Sequence, residues 1–126
     1  MDVPGELRYT ADHVWVRLEG ARARLGITDF AQDALGDVVF VELPSVGTIV
    51  AARDTLGEVE STKSVSEIYA PVSGRVAEVN VALGESPEKL NEDPYGEGWI
   101  CLIEDLDPAG ATELLGASQY EKLTLS

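Results

Sequence analysis

The chain is poor in the residues that carry most chemistry. Cys101 is its only cysteine and His13 its only histidine. A lone thiol excludes an intramolecular disulfide and cannot build a zinc site. Cys101 lies in the apolar run Trp99-Ile100-Cys101-Leu102-Ile103, where it reads as buried packing. One histidine, with no nucleophile elbow in the chain, gives a His-based triad no support. Beside Trp15 at a strand start, His13 reads as structural or surface. No P-loop or calcium loop is present, and Gly96-Glu97-Gly98 lacks the third glycine of a dinucleotide fingerprint, so it reads as a turn. Basic residues are scarce too: nine Lys and Arg against 23 Asp and Glu, a net charge of −14. Such a surface repels nucleic acid phosphates and anionic lipid, and suits basic patches on other proteins. No apolar run is long enough to span a bilayer. The start, Met1-Asp2-Val3-Pro4-Gly5-Glu6, has neither the basic patch nor the apolar stretch of a signal peptide. The expected location is cytoplasmic, or the mitochondrial matrix if a targeting segment has been removed.

What is present is ordinary for a globular chain: 44% apolar and 25% charged over 126 residues. That length predicts one domain, 1–126, with a real core. Short β-rich runs recur between Gly and Pro turns: Leu7 to Tyr9, Val14 to Leu18, Ala21 to Ile27, Val38 to Leu43, Thr48 to Val50, Thr55 to Glu60, Val65 to Ala70, Arg75 to Asn80 and Trp99 to Glu104. Thr28 or Asp29 caps a short helix near 28–35, with Gly36 ending it at the left-handed position. Pro87 to Leu90 reads as one helical turn. A helical extension is expected over about 108–123, where Leu114, Leu115, Tyr120 and Leu123 fit an amphipathic pair broken at Gly116. The fold class is therefore mainly β, a flattened barrel or sandwich of two antiparallel sheets with a short helix and C-terminal helices.

The informative residue is Lys63. The chain's lysines are Lys63, Lys89 and Lys122, and Lys63 alone stands on a polar tip between two β-rich runs. The tip falls between two faintly similar segments, Gly36-Asp37-Val38 with Val41 and Gly47, and Gly74-Arg75-Val76 with Val79 and Gly84. This pattern predicts two pseudo-twofold halves packed as two sheets, with the Lys63 turn linking them. A lone lysine on a tight turn is a good address for an enzyme that attaches a cofactor to an amine.

The stretch Glu60-Ser61-Thr62-Lys63, followed by Pro71 and Gly74, resembles a lipoyl-attachment signature. From about Leu7 to Leu123 the chain is similar to the H-protein family of the glycine cleavage system, within the wider biotinyl/lipoyl-domain proteins. The resemblance is carried by Gly26-Ile27-Thr28-Asp29-Phe30-Ala31-Gln32, by Leu35-Gly36-Asp37-Val38-Val39-Phe40-Val41-Glu42-Leu43-Pro44, by Val59-Glu60-Ser61-Thr62-Lys63, and by Asn91-Glu92-Asp93-Pro94-Tyr95-Gly96-Glu97-Gly98-Trp99. Lipoyl domains of 2-oxo acid dehydrogenase complexes lack the first and last of these blocks. Biotin carriers flank the lysine with methionines; here Thr62 and Ser64 flank it.

The resemblance implies a lipoyl-domain-like fold and lipoic acid in amide linkage on Lys63, in a non-enzymatic carrier with no catalytic residues and no metal. The implied partners are a pyridoxal-phosphate glycine decarboxylase, a folate-dependent aminomethyltransferase, a flavin-dependent dihydrolipoamide dehydrogenase and the lipoate-attaching enzyme. The arm would carry the aminomethyl group of glycine between the first two, its tether supplying effective concentration. Glu60 and Glu67 are placed to steer the attaching enzyme. The family's His-Glu-Trp is here His13-Val14-Trp15, so a carboxylate associated with shielding the loaded arm is missing; Asp12 or Glu67 is expected to replace it in part. The alternatives left open are a relay protein of the same fold that donates lipoate to other complexes, and an unmodified β interaction module.

Overall fold

The computed structural model describes residues 2–107, 110 and 113–125. Among the described residues nine strands run β1 Arg8–Tyr9, β2 Val14–Glu19, β3 Arg22–Ile27, β4 Val38–Glu42, β5 Ile49–Val50, β6 Thr55–Ser61, β7 Val65–Tyr69, β8 Gly74–Val79 and β9 Cys101–Glu104. The helices described are α1 Asp29–Leu35, α2 Ala82–Glu85, α3 Lys89–Glu92 and α4 Ala117–Thr124. Every pairing is antiparallel. Six strands form one sheet in the order β1-β2-β3-β9-β8-β5, and three form the other, β4-β6-β7. The two sheets do not close into a barrel.

Alternation in the strands decides what the sheets enclose. Ala23, Leu25 and Ile27 of β3 point into the main core, with Val14 and Val16 of β2, Val41 of β4, Val59 of β6 and Ile68 of β7. Cys101 joins them, fully buried, and burial pushes its thiol up to about 12. It is packing, as expected. Trp15 lies between Val14 and Val16 and so faces the other way. There it meets Leu7, Tyr9 and Tyr120 in a second apolar cluster. Its indole N–H donates to the Pro94 carbonyl at 2.8 Å.

The C-terminal segment covers that second cluster. Gly116 starts α4, and Tyr120 is its buried residue. The expected helix over Leu114 and Leu115 is not found: Leu115 exchanges two backbone hydrogen bonds with Tyr9, at 2.8 and 2.7 Å. An edge strand with unpaired groups took precedence over a weak helical pattern. Of the rest of that expected segment, Gly110 is helical, and 108, 109, 111 and 112 lie outside the described residues. The helical turn expected at Pro87 to Leu90 lies slightly later, at Lys89–Glu92, and a further turn precedes it at Ala82–Glu85.

One expectation about the halves is corrected. The two similar segments do send β4 and β8 into different sheets. The Lys63 turn does not link the sheets, however; it joins β6 to β7 inside the three-stranded sheet. A hairpin of adjacent antiparallel strands needs only a tight turn, so the tip closes locally.

Candidate functional site

Lys63 is exposed at the end of the β6–β7 hairpin, where Thr62 and Lys63 form the tip between Ser61 and Ser64. Such short hairpins ordinarily use residues of positive φ. The described non-glycine residues of positive φ are His13, Arg53 and Asp105, so neither Thr62 nor Lys63 is among them. Ser61 supplies the stabilisation instead. Its N–H donates to the Ser64 carbonyl at 2.8 Å. Its Oγ accepts from the Lys63 N–H at 3.3 Å and the Ser64 N–H at 3.1 Å. A hydroxyl that bonds the backbone two or three residues on is a turn device in its own right, and it is the signal by which Ser61 could have been picked out.

The tip is also tied to the rest of the molecule. The Thr62 N–H donates to the Asp37 carbonyl at 3.1 Å. Asp37 follows Gly36, which ends α1 with φ 81° and ψ −156°. This is not the left-handed helical conformation expected of it, but a region open essentially to glycine alone. A Cβ on Gly36 would also sit 3.1 Å from Cε of Lys63. The lysine stem therefore rests on bare backbone. Asn91 holds that backbone: its Oδ1 accepts from the Val38 N–H at 2.9 Å, and its Nδ2 donates to the Gly36 carbonyl at 2.8 Å and to Gln32 Oε1 at 3.0 Å. Residue 91 is far from Lys63 in the chain, and its part in seating the tip was not anticipated.

Beside the tip a groove of ≈ 370 Å³ runs between α1 and β7. Phe30, Ala31, Ala34 and Leu35 form one wall and Ser64 to Ile68 the other, over Val14, Ile27 and Val59. Asp12, His13 and Glu67 are its polar residues of interest. Val14 is 1% exposed and packs in the main core, so it adds apolar floor and no acceptor. Asp12 Oδ2 lies 3.5 Å from Arg53. Glu67 Oε2 accepts from the Tyr69 hydroxyl at 2.7 Å. A second hollow of ≈ 270 Å³ lies between Arg53 and Glu113 and takes in no residue of the tip.

His13 is structural. It has φ 65°, a conformation in which histidine is enriched among non-glycine residues. Its ring stacks on Phe30 with centroids 4.8 Å apart, and Nδ1 lies 2.7 Å from the Tyr120 hydroxyl. Burial lowers its pKa from the ordinary histidine value, against a smaller opposing effect of Asp12. Pro71 is buried after β7. Gly74 permits close approach of β8 to β9, since a Cβ there would lie 2.5 Å from the Glu104 carbonyl oxygen. No cluster of metal-ligating side chains occurs among the described residues, and no helix there is long and apolar enough to cross a membrane.

Comparison with known proteins agrees with this arrangement. The family described as "Glycine cleavage H-protein" matches residues 7–126. The chain is 53% identical over 123 residues to a glycine cleavage system H protein of a Geobacillus species, covering 98% of this chain and 97% of the relative. It is 51% identical over 124 residues to that of Bacillus subtilis, covering 98% of each. Among solved structures, the glycine cleavage system H protein of Mycobacterium marinum superposes with a TM-score of 0.89 at 43% identity, covering 98% of this chain and 100% of that one.

Proposed function

The chain belongs to the glycine cleavage H-protein family, and from that premise we propose that Lys63 carries lipoate in amide linkage. The protein is then the carrier that moves the aminomethyl group of glycine from the pyridoxal-phosphate decarboxylase to the folate-dependent aminomethyltransferase, with a flavin-dependent dehydrogenase restoring the arm. The observation that carries this reading is the seating of Lys63: an exposed amine at a tip braced by Ser61 and Asp37, beside a groove with an apolar floor.

The residues present fit the group. Bare backbone at Gly36 leaves room for the lysine methylenes. The groove is of the size that encloses small organic ligands, and its floor is aliphatic. When bound, lipoate supplies a dithiolane as the site of group transfer and redox chemistry. The chain's own contribution is positional. Ser61 and Asp37 fix the root while the arm moves, so the tether raises local concentration at each partner. No step of catalysis is assigned to the protein itself.

Toward a cationic arm end the groove presents Asp12 and Glu67, in place of the carboxylate that Val14 lacks. Their opposite charge, over a floor that excludes water, is what would shelter a labile amine. Asp12→Asn combined with Glu67→Gln is expected to shorten the survival of the protein-bound one-carbon unit several-fold; unchanged survival rules these two residues out.

The carrier reading is tested by reconstitution. The protein purified from its own cells, mixed with the decarboxylase and aminomethyltransferase, should support glycine–bicarbonate exchange. Lipoylated protein that supports no exchange would instead favour lipoate relay to other complexes.

A further inference from the structure

The outward face of the three-stranded sheet carries a charge pattern that the fold does not need. Directly opposed residues of an antiparallel pair share a face. The register therefore sets Glu42, Glu58 and Glu67 in one row across β4, β6 and β7, and Phe40, Glu60 and Val65 in the next row toward the tip. Like charges directly opposite destabilise a sheet. No salt bridge among the described residues relieves Glu42, Glu58, Glu60 or Glu67. The Tyr69 hydroxyl meets Glu67, but it is a neutral donor. Apolar side chains are uncovered there as well: Phe40 and Val65 of the second row are 51% and 55% exposed, and Val39, in the irregularity before Phe40, is 53% exposed. Grouped apolar side chains rimmed by charge mark an interaction surface, and this one begins at the root of Lys63.

Resting on the reading of Lys63 as the modified residue, we propose that this face is the docking surface of the enzyme that acylates Lys63. That enzyme brings Arg or Lys side chains to the row Glu42–Glu58–Glu67 and an apolar pocket to Phe40. Reach selects this occupant. Enzymes acting on the far end of a long arm work at a distance from the tip. The acylating enzyme must bring an activated carbonyl to bonding distance from Nζ of the bare lysine, so its surface covers the neighbours of the tip. There the Nζ ammonium gives up one proton to a base of the enzyme before it attacks and a second as the amide C–N bond forms. The bond from the carbonyl carbon to its leaving group breaks, and that group departs with the electron pair. Charge selects the chemistry of the docking face: carboxylates in a row complement guanidinium or ammonium groups, and such complementarity sets register and on-rate.

The test separates docking from folding. Full-length unmodified wild type, the double variant Glu42→Gln/Glu58→Gln, and Phe40→Ser are acylated with lipoate, ATP and the lipoate-attaching enzyme, and each is melted. The double variant is expected to lose about tenfold in kcat/KM, through KM, with the deficit shrinking in high salt. Its Tm should rise, because a like-charge row has been relieved. Phe40→Ser is expected to lose about tenfold with its Tm little changed. A double variant that loses activity together with Tm overturns the proposal, since a structural fault would then explain both. Unchanged kcat/KM in either variant, with wild type acylated normally, also overturns it while leaving the assignment of Lys63 standing. Wild type that is not acylated on Lys63 overturns that assignment, and the docking surface with it.

Discussion

Lys63→Arg is expected to abolish the lipoyl mass increment of the intact protein and to leave its melting temperature almost where it was. Arginine keeps the positive charge but stays protonated, so it offers no nucleophilic nitrogen to an acyl donor. Structurally the exchange is mild. Lys63 is exposed, and the contacts that brace the tip run through its backbone N–H, Ser61 and the Asp37 carbonyl. A surface substitution of this kind falls within about ±0.5 kcal/mol. The controls are Lys89→Arg and Lys122→Arg. Lys89 pairs with Glu97 at 2.8 Å on α3, and Lys122 lies in the last turn of α4; neither is on a hairpin tip, and both variants should keep the increment. Protein should be taken from its own cells, with intact mass as the readout. An increment that survives in Lys63→Arg sinks the assignment.

The proposal for Lys63 rests on several signals that converge on one short stretch. A tip lysine is ordinary by itself; the blocks from Gly26 to Trp99 give it meaning. β3 was legible because its period-two alternation sets Ala23 and Leu25 on the buried face and Arg22 and Arg24 on the other. Of the two caps the sequence offered, Thr28 or Asp29, Thr28 is the one used: its Oγ accepts from the Ala31 N–H at 3.2 Å. What stayed hidden depends on contacts between distant segments. Leu115 reads as helical until the free edge at Tyr9 is present to claim it. Asn91 reads as loop polarity until α1 and β4 are placed beside it.

The outward face of the three-stranded sheet was hidden by a subtler cause. In the sequence Val38 to Leu43 reads only as a strand, with no sign of which residues face out. The register between β4 and β6 shifts between Val38 and Phe40. That irregularity resets the alternation, so Val38 and Val41 are buried while Val39 and Phe40 lie outside. A bulge leaves no reliable trace in a β-branched run. The acidic row was equally invisible, because Glu42, Glu58 and Glu67 become neighbours only through the register.

Tyr120→Ala should be the costliest single change at the C-terminus, at about 3–5 kcal/mol. Tyr120 is fully buried and stacks on Tyr9 with centroids 4.8 Å apart and planes 12° from parallel. Its hydroxyl lies 2.7 Å from both His13 Nδ1 and Thr28 Oγ1. Tyr120→Phe separates ring from hydroxyl. It keeps the stacking but leaves polar atoms of Thr28 and His13 without that partner, a loss of about 1–3 kcal/mol. Chemical denaturation distinguishes the variants, and a Tyr120→Phe protein as stable as wild type would rule out the hydroxyl bridge. The same contact predicts a pH dependence. Burial holds the folded-state pKa of His13 below its unfolded value, so the unfolded chain takes up the proton first as pH falls. Stability should therefore decline as pH drops below about 6.5, the ordinary histidine value. His13→Asn, which tolerates the positive φ, should flatten that decline. Because His13 also lines the groove, loosening the C-terminal helix should disturb the wall beside Lys63 before the sheets themselves give way.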